Sequence, residues 1–370
     1  MDTTNTPPRQ RLRELGVSIG KFKTGHWNAI TDVAGVRVGH CTVTEGSART
    51  GVTAILPNDD KIFDQRLLGG AFILNGAGEM SGLIQLQEWG LLETPIVLTN
   101  TLAVGKASSA LVDFMVKRHP RIGSEHDVII PVVGECDDSF VNDIAAQHIT
   151  HEHVHHALAD AQSGPVAEGN VGGGTGMVSF DLKGGIGTSS RLVPIGDDDT
   201  FTIGVLVMSN VGRLEDLRID GLQVGSEVER LIPGLIRRKS LYGSIIAVLA
   251  TDAPLTSYQI QRLCKRVALG IGRVGSFAAH GSGEIVMGFS TANEVERDRG
   301  SEKFMNLRVL HDRHVDPLYQ ATLECTEEAM LNALCMAGPM QSARGELIQA
   351  LPLQVFERVK AVQEVLRSPL

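Results

Sequence analysis

A serine that follows a glycine at the border between a basic segment and an apolar run can do uncommon chemistry, and Ser244 is such a residue. Residues 237–240 are Arg, Arg, Lys and Ser, which suits an exposed loop. Residues 244–250 are almost wholly apolar and rich in Ile and Val, which suits a buried strand that Asp252-Ala-Pro then ends. Gly243 leaves its carbonyl open to attack and tolerates strained backbone angles. Cleavage of the Gly243–Ser244 bond would leave Ser244 as a chain N-terminus, carrying a hydroxyl nucleophile and an amine in one residue. The other reading of these residues is a Gly-Ser turn ahead of a strand.

Four more residues have types suited to a site. Ser282 and Glu284 stand two apart at the head of the apolar run 285–290, so a strand starting there would point both to one face. Asn210 ends the apolar run 201–210, where an amide can donate into a site. Glu135 lies in the acidic stretch that also holds Asp137 and Asp138. Each also has a plain reading: a turn serine, surface carboxylates, a turn cap. His148, His151 and His155 would share one face of a helix over 144–162, a spacing that can bind metal. Only Glu152 and Asp160 accompany them, which favours a solvated helix face.

Composition bounds the function classes. The chain has 370 residues, 42% of them hydrophobic, enough for an ample core in one large domain or two. A net charge of −9 and no basic patch beyond residues 237–239 argue against a nucleic-acid partner. No apolar run reaches membrane-spanning length, and residues 1–10 lack the apolar core of a secretory signal, so a cytoplasmic protein is expected. The five cysteines are scattered, without a Cys-x-x-Cys pair, which argues against a disulfide framework or a zinc site.

The elements that would position these residues alternate along the chain. Residues 1–8 read as a frayed tail. Strands are expected over 30–40, 51–56, 71–75, 95–100, 127–133, 201–210, 244–250 and 285–290, and helices over 106–118, 144–162, 256–271, 324–336 and 355–366. The glycine runs GNVGGGTGM at 169–177 and KGGIGTSSR at 183–191 lack the Walker pattern and the strand–GxGxxG–helix context, and read as loops lining a substrate pocket. Residues 214–240 show no clear periodicity and read as a mobile linker ahead of Gly243. Strands in groups with helices between them give a layered α/β sandwich.

The two glycine runs, together with GSII at 243–246, ATDAPL at 250–255 and GSGE at 281–284, resemble the L-aminopeptidase/D-esterase family, which includes the β-peptidyl aminopeptidases. NAITDVAGV at 28–36, RTGVTAIL at 49–56 and LTNT at 98–101 agree, so the resemblance covers nearly the whole chain. It implies a four-layer αββα sandwich formed by a single 1–370 domain that cuts itself into 1–243 and 244–370. The two pieces stay together and form homo-oligomers such as tetramers. It implies Ser244 as nucleophile, Ser282 and Glu284 as its supporting pair, Asn210 as oxyanion-hole amide, and Glu135 as the residue that holds a substrate's free amino group. The substrates implied are small peptides, amides or esters with a free amine, with no metal or organic cofactor. Phe140 stands at a substrate-binding position where that family often has Tyr, and Leu102 where His is common. Acyl transfer to another amine, or a weakly active or uncleaved member with a binding role, are the alternatives to hydrolysis.

Overall fold

The computed structural model describes residues 8–239, 243–297 and 303–367. The tail expected over 1–8 lies outside them except for Pro8, as do Ser240, Leu241 and Tyr242 just ahead of Gly243. In chain order the elements are β1 (Arg37–Val43), β2 (Thr50–Leu56), β3 (Gln65–Gly76), α1 (Leu83–Trp89), β4 (Leu91–Leu92), β5 (Ile96–Asn100), α2 (Val104–Arg118), β6 (Val132–Cys136), α3 (His151–Ala159), β7 (Val178–Ser179), β8 (Leu182–Lys183), β9 (Gly185–Ile195), β10 (Asp199–Asn210), β11 (Arg218–Ile219), β12 (Leu222–Gln223), α4 (Gly225–Leu231), β13 (Gly243–Thr251), α5 (Ser257–Arg273), β14 (Ser282–Glu296), α6 (Asp316–Met336) and α7 (Val355–Arg367), with a short hairpin between the last two helices.

Four strands in the order β1-β2-β5-β6 form one sheet, and six in the order β4-β3-β14-β13-β10-β9 form the other. Among the described residues, only β5–β6 and β13–β14 pair in parallel within these sheets. Helices α2 and α3 cover the outer face of the smaller sheet, and α5 and α6 that of the larger. The result is an αββα sandwich.

The apolar run after Ser244 fits the middle of this sandwich because both of its faces are buried. Ile245, Ala247 and Leu249 join the core beneath α5 and α6, whereas Ile246, Val248 and Ala250 join the core between the sheets. Helix α5 starts cleanly because Thr256 and Gln259 exchange hydrogen bonds, with Gln259 N 3.3 Å from Thr256 Oγ1 and Thr256 N 3.0 Å from Gln259 Oε1.

Several elements differ from the sequence reading, each for a physical reason. The run 183–191 is not a pocket loop: from Gly185 it is edge strand β9, packed so closely on α6 that a Cβ on Gly187 would lie 2.0 Å from Ala329 O. Of the segment read as a linker over 214–240, residues 214–231 are not structureless. A 3-10 turn, the β11–β12 hairpin and α4 bury Leu214, Leu217, Ile219, Val224 and Val228, and elements this short leave no sustained period. The strand expected over 127–133 is shifted to Val132–Cys136, so Glu135 is a strand residue. The helix expected over 144–162 shrinks to α3, with His148 ahead of it. Residues 30–32 form a 3-10 turn rather than strand, and α6 begins eight residues before Glu324. No helix among the described residues is long and apolar enough to cross a membrane.

The N-terminal segment is fastened to the sandwich by a buried ionic cluster. Arg191 on β9 is fully buried and reaches Glu328 at 2.6 Å and Glu324 at 3.4 Å on α6, while Arg13 reaches Glu328 at 2.8 Å. Asn28 Nδ2 donates to the same Glu328 carboxylate at 2.6 Å. Removing one partner of such a set leaves an uncompensated buried charge. Arg191→Met is therefore expected to cost about 3–5 kcal/mol of stability, read from a denaturant melt. A loss no larger than that of an exposed ion pair, about 1 kcal/mol or less, would contradict this.

Candidate active site

Where β13 leaves the sheet, its first residues open onto a cavity of about 1040 Å³. Gly243 and Ser244 line it with Asn210, Glu135, Asp137, Thr101, Leu102, Phe140 and Arg344, among others. Strand register brings these residues together. Antiparallel pairing sets Asn210, the last residue of β10, opposite Ser244. Parallel pairing sets Gly243 opposite Ser282 and Ser244 opposite Gly283. A Cβ on Gly283 would lie 2.6 Å from Ala77 O, so only glycine lets the turn that follows β3 close over this end of the sheet.

Asn210 is held at both ends of its amide. Its Oδ1 accepts from Val178 N at 2.9 Å, which fixes which way the group faces. Its Nδ2 donates to Asp137 O at 2.8 Å and lies 3.5 Å from Ser244 Oγ. Ser282 and Glu284 share one face of β14, and the Ser282 hydroxyl donates to Glu284 Oε1. Burial pushes the Glu284 carboxyl above its ordinary range, and the Ser282 hydrogen bond opposes that shift. Ser282 sits beside Gly243, its Oγ 3.1 Å from where a Cβ on Gly243 would lie, and along a strand the next side chain, that of Ser244, points to the other face. The serine–carboxylate pair therefore flanks the Gly243–Ser244 bond on the face opposite the Ser244 hydroxyl.

Glu135 is buried on β6, with its carboxylate against the cavity. It accepts from Glu79 N at 2.8 Å and from the Thr101 hydroxyl. Burial pushes its carboxyl up, these two donors pull it back, and the charges of Asp137 and Glu79 add to the rise. A buried carboxylate facing a cavity suits a cation with several N–H groups. The sequence reading gave Thr101 no role of its own, only a place in the LTNT stretch at 98–101.

Phe140 and Leu102 both line the cavity, and neither brings a polar group to it. Arg344 donates to the carbonyls of Ser139 at 3.2 Å and Phe140 at 3.1 Å, holding the loop that carries Phe140. The glycine runs do not line the cavity. Gly172, Gly173 and Gly174 are buried at the seam between the two sheets, against β2 and β5 on one side and β9 and β10 on the other. The rings of His151 and His155 are 6.4 Å apart, but the three histidines take separate partners: His148 Nε2 lies 3.4 Å from Ser47 Oγ, His151 Nδ1 3.0 Å from Asp113 Oδ2, and His155 Nε2 3.0 Å from Ala110 O. Among the described residues no group of three or more His, Cys, Asp or Glu is placed to hold a metal ion.

Comparison with known proteins shows the family. Residues 28–348 match the model of peptidase family S58. The chain belongs to peptidase family S58. It is 38% identical over 367 residues to the β-peptidyl aminopeptidase BapA of Sphingosinicella xenopeptidilytica, covering 94% of this chain and 90% of that one. The PH0078 protein from Pyrococcus horikoshii OT3 superposes with a TM-score of 0.89 at 42% identity, covering 97% of this chain and all of that one. The L-aminopeptidase D-Ala-esterase/amidase from Ochrobactrum anthropi, a prototype for the serine aminopeptidases and a variant of the Ntn hydrolase fold, superposes with a TM-score of 0.89 at 38% identity, over 96% of this chain and 99% of that one. This S58 chain is accordingly an aminopeptidase with an Ntn hydrolase fold, and self-processing goes with that fold.

The Glu135 environment gives a test of its own. Thr101→Val removes a hydrogen bond that favours the carboxylate, so the Glu135 pKa should rise further in the variant. A carbon-13 NMR titration of labelled glutamate side chains reads the shift. An unchanged or lower value would contradict the placement of Thr101.

Proposed function

We propose that this S58 peptidase cuts its own Gly243–Ser244 bond and then uses Ser244 to release N-terminal residues from small peptides, amides or esters. One observation carries the reading: a serine at the mouth of a buried strand has an amide nitrogen, oriented from behind, 3.5 Å from its Oγ, on the wall of a cavity. In the uncut chain, Ser244 Oγ attacks the Gly243 carbonyl. The C–N bond breaks as the C–O bond forms, and the hydroxyl proton passes to the departing nitrogen. Water then hydrolyses the ester, leaving a carboxylate at Gly243 and a free amine and hydroxyl at Ser244, in pieces 1–243 and 244–370.

In the cut protein the Ser244 amine, with an ordinary pKa of about 7.7–8, is partly neutral near pH 7 and serves as general base to the hydroxyl of the same residue. Asn210 Nδ2 stabilises the oxyanion, a role worth about 10²–10³ in turnover for one donor. Ser282 and Glu284, flanking the backbone at this bond, orient the new amine and balance the charge it gains. Glu135 binds the substrate's ammonium, and Phe140 and Leu102 supply apolar wall. The names of relatives that act on β-peptides and on L-amino-acid and D-alanine derivatives support substrates with a free amine.

The same reading places the protein in the cytoplasm as a homo-oligomer. Five free cysteines fit a reducing compartment. Ile84 and Trp89 on α1 and Val128 are 82%, 64% and 66% exposed, apolar side chains of the kind that a second copy would cover.

The reading is tested with an aminoacyl p-nitroanilide and its N-acetylated form. The free amine should be hydrolysed and the acetylated form should not. Glu135→Gln should lower kcat/KM for the free amine by about 10²-fold or more. In the unaltered protein kcat/KM should fall in two stages as pH drops, first as the Ser244 amine takes up a proton and then as Glu135 does above the ordinary glutamate range, and Glu135→Gln should lose the second stage, because only the ionised carboxylate pairs with ammonium. Equal hydrolysis of both substrates would contradict the role given to Glu135.

A further inference from the structure

Lys183 is a buried basic side chain that the proposed mechanism leaves unused. It is the last residue of β8, in the tight β7–β8 hairpin, and is fully buried. All three of its donors go to uncharged backbone: Met177 O at 2.6 Å, Gly184 O at 2.9 Å and Gly174 O at 3.4 Å. Burial pulls its pKa down to about 7, and the charge set against this is that of Asp138. An ammonium in such a place is costly, and a leucine or methionine would fill a core position at less cost.

The shortest of those bonds lies on a direct line to the catalytic centre. The carbonyl of Met177 and the N–H of Val178 belong to one planar peptide group. A cation on the oxygen therefore fixes the direction of the N–H and polarises it. That N–H is the donor to Asn210 Oδ1, at 2.9 Å. Asn210 is a second conjugated amide: its oxygen receives the bond, and its nitrogen faces Ser244 Oγ at 3.5 Å and Asp137 O at 2.8 Å. The order is ammonium, backbone amide, side-chain amide, serine. Each group is aligned and polarised by the one before it, which makes Asn210 Nδ2 a stronger and better-aimed donor. The glycines at 174 and 184 fit this arrangement, since both carbonyls turn inward onto the same Nζ.

We propose that Lys183 is a positioning residue for the oxyanion hole, acting through the 177–178 peptide group on Asn210. The proposal rests on reading Asn210 as the oxyanion donor, and a double-mutant cycle separates the two claims. Lys183→Met, Asn210→Ala and the double variant are compared with the unaltered protein by kcat and KM for a free-amine p-nitroanilide. Where a variant stays uncut, the rate of self-cleavage, followed by intact mass, takes the place of kcat. Thermal melts confirm that each chain is folded.

Asn210→Ala alone should lower the rate about 10²–10³-fold. Lys183→Met alone should lower it about 10-fold or more, with KM changed by less than about 3-fold, and should lower it by less than about 3-fold when Asn210 is already alanine. An unchanged rate in Asn210→Ala would overturn the reading of Asn210 itself. A full effect of Asn210→Ala combined with an equal cost of Lys183→Met in both backgrounds would overturn the role of Lys183 alone. Should Lys183→Met not fold, Lys183→Gln, which keeps N–H donors without the charge, enters the same cycle. Failure of both to fold would overturn the proposal in favour of a purely structural lysine.

Discussion

Burial of β13 on both faces is the constraint on which the rest of the structure depends. From Ile245 to Ala250 every side chain is committed to one of two cores, so the strand can neither slip nor tilt without exposing one of them. Ser244 is then the first residue at which a hydroxyl can meet a cavity, and its backbone is held by neighbours on both sides. The antiparallel partner supplies Asn210 and the parallel partner supplies Ser282 and Glu284, each at a strand end. A site built on strand ends of one sheet inherits the precision of the sheet, which loops alone do not provide.

The second sheet contributes what the first cannot. Its strand β6 ends beside the cavity and carries Glu135 at its rim, and the turn after Cys136 brings Asp137 O to the Asn210 nitrogen. The carboxylates near the site differ in environment. Glu135 is buried but has two donors that favour its charge. Glu284 has one oxygen bonded to Ser282, while its Oε2 is buried without a hydrogen-bond partner among the described residues. A carboxylate with satisfied oxygens suits a steady ion pair with substrate. One with an open oxygen suits a proton that comes and goes.

Much of this was legible in the sequence wherever a residue sat at the end of an apolar run. Ser244, Asn210 and the Ser282–Glu284 pair all mark such ends, and period-two alternation placed the last two on one face. Residues whose role depends on backbone groups were not legible. Lys183 within a glycine run gives no sign that its amine will reach back to Met177 O, because the β7–β8 turn passes through two residues of positive φ, Phe180 and Asp181. Strand β9 was hidden for a related reason: its glycines answer to the close approach of α6, and its buried Arg191 is compensated by acids more than 130 residues later in the chain. The segment after Asn210 was hidden by the shortness of its elements.

The central claim is that Ser244 becomes a chain terminus by the protein's own action. Intact-mass spectrometry of the freshly purified, denatured protein, beside Ser244→Ala, tests it most directly. The account predicts two fragments in the unaltered protein, divided between Gly243 and Ser244, and one full-length chain in the variant. A single uncut chain in both, or the same cut in both, would contradict it.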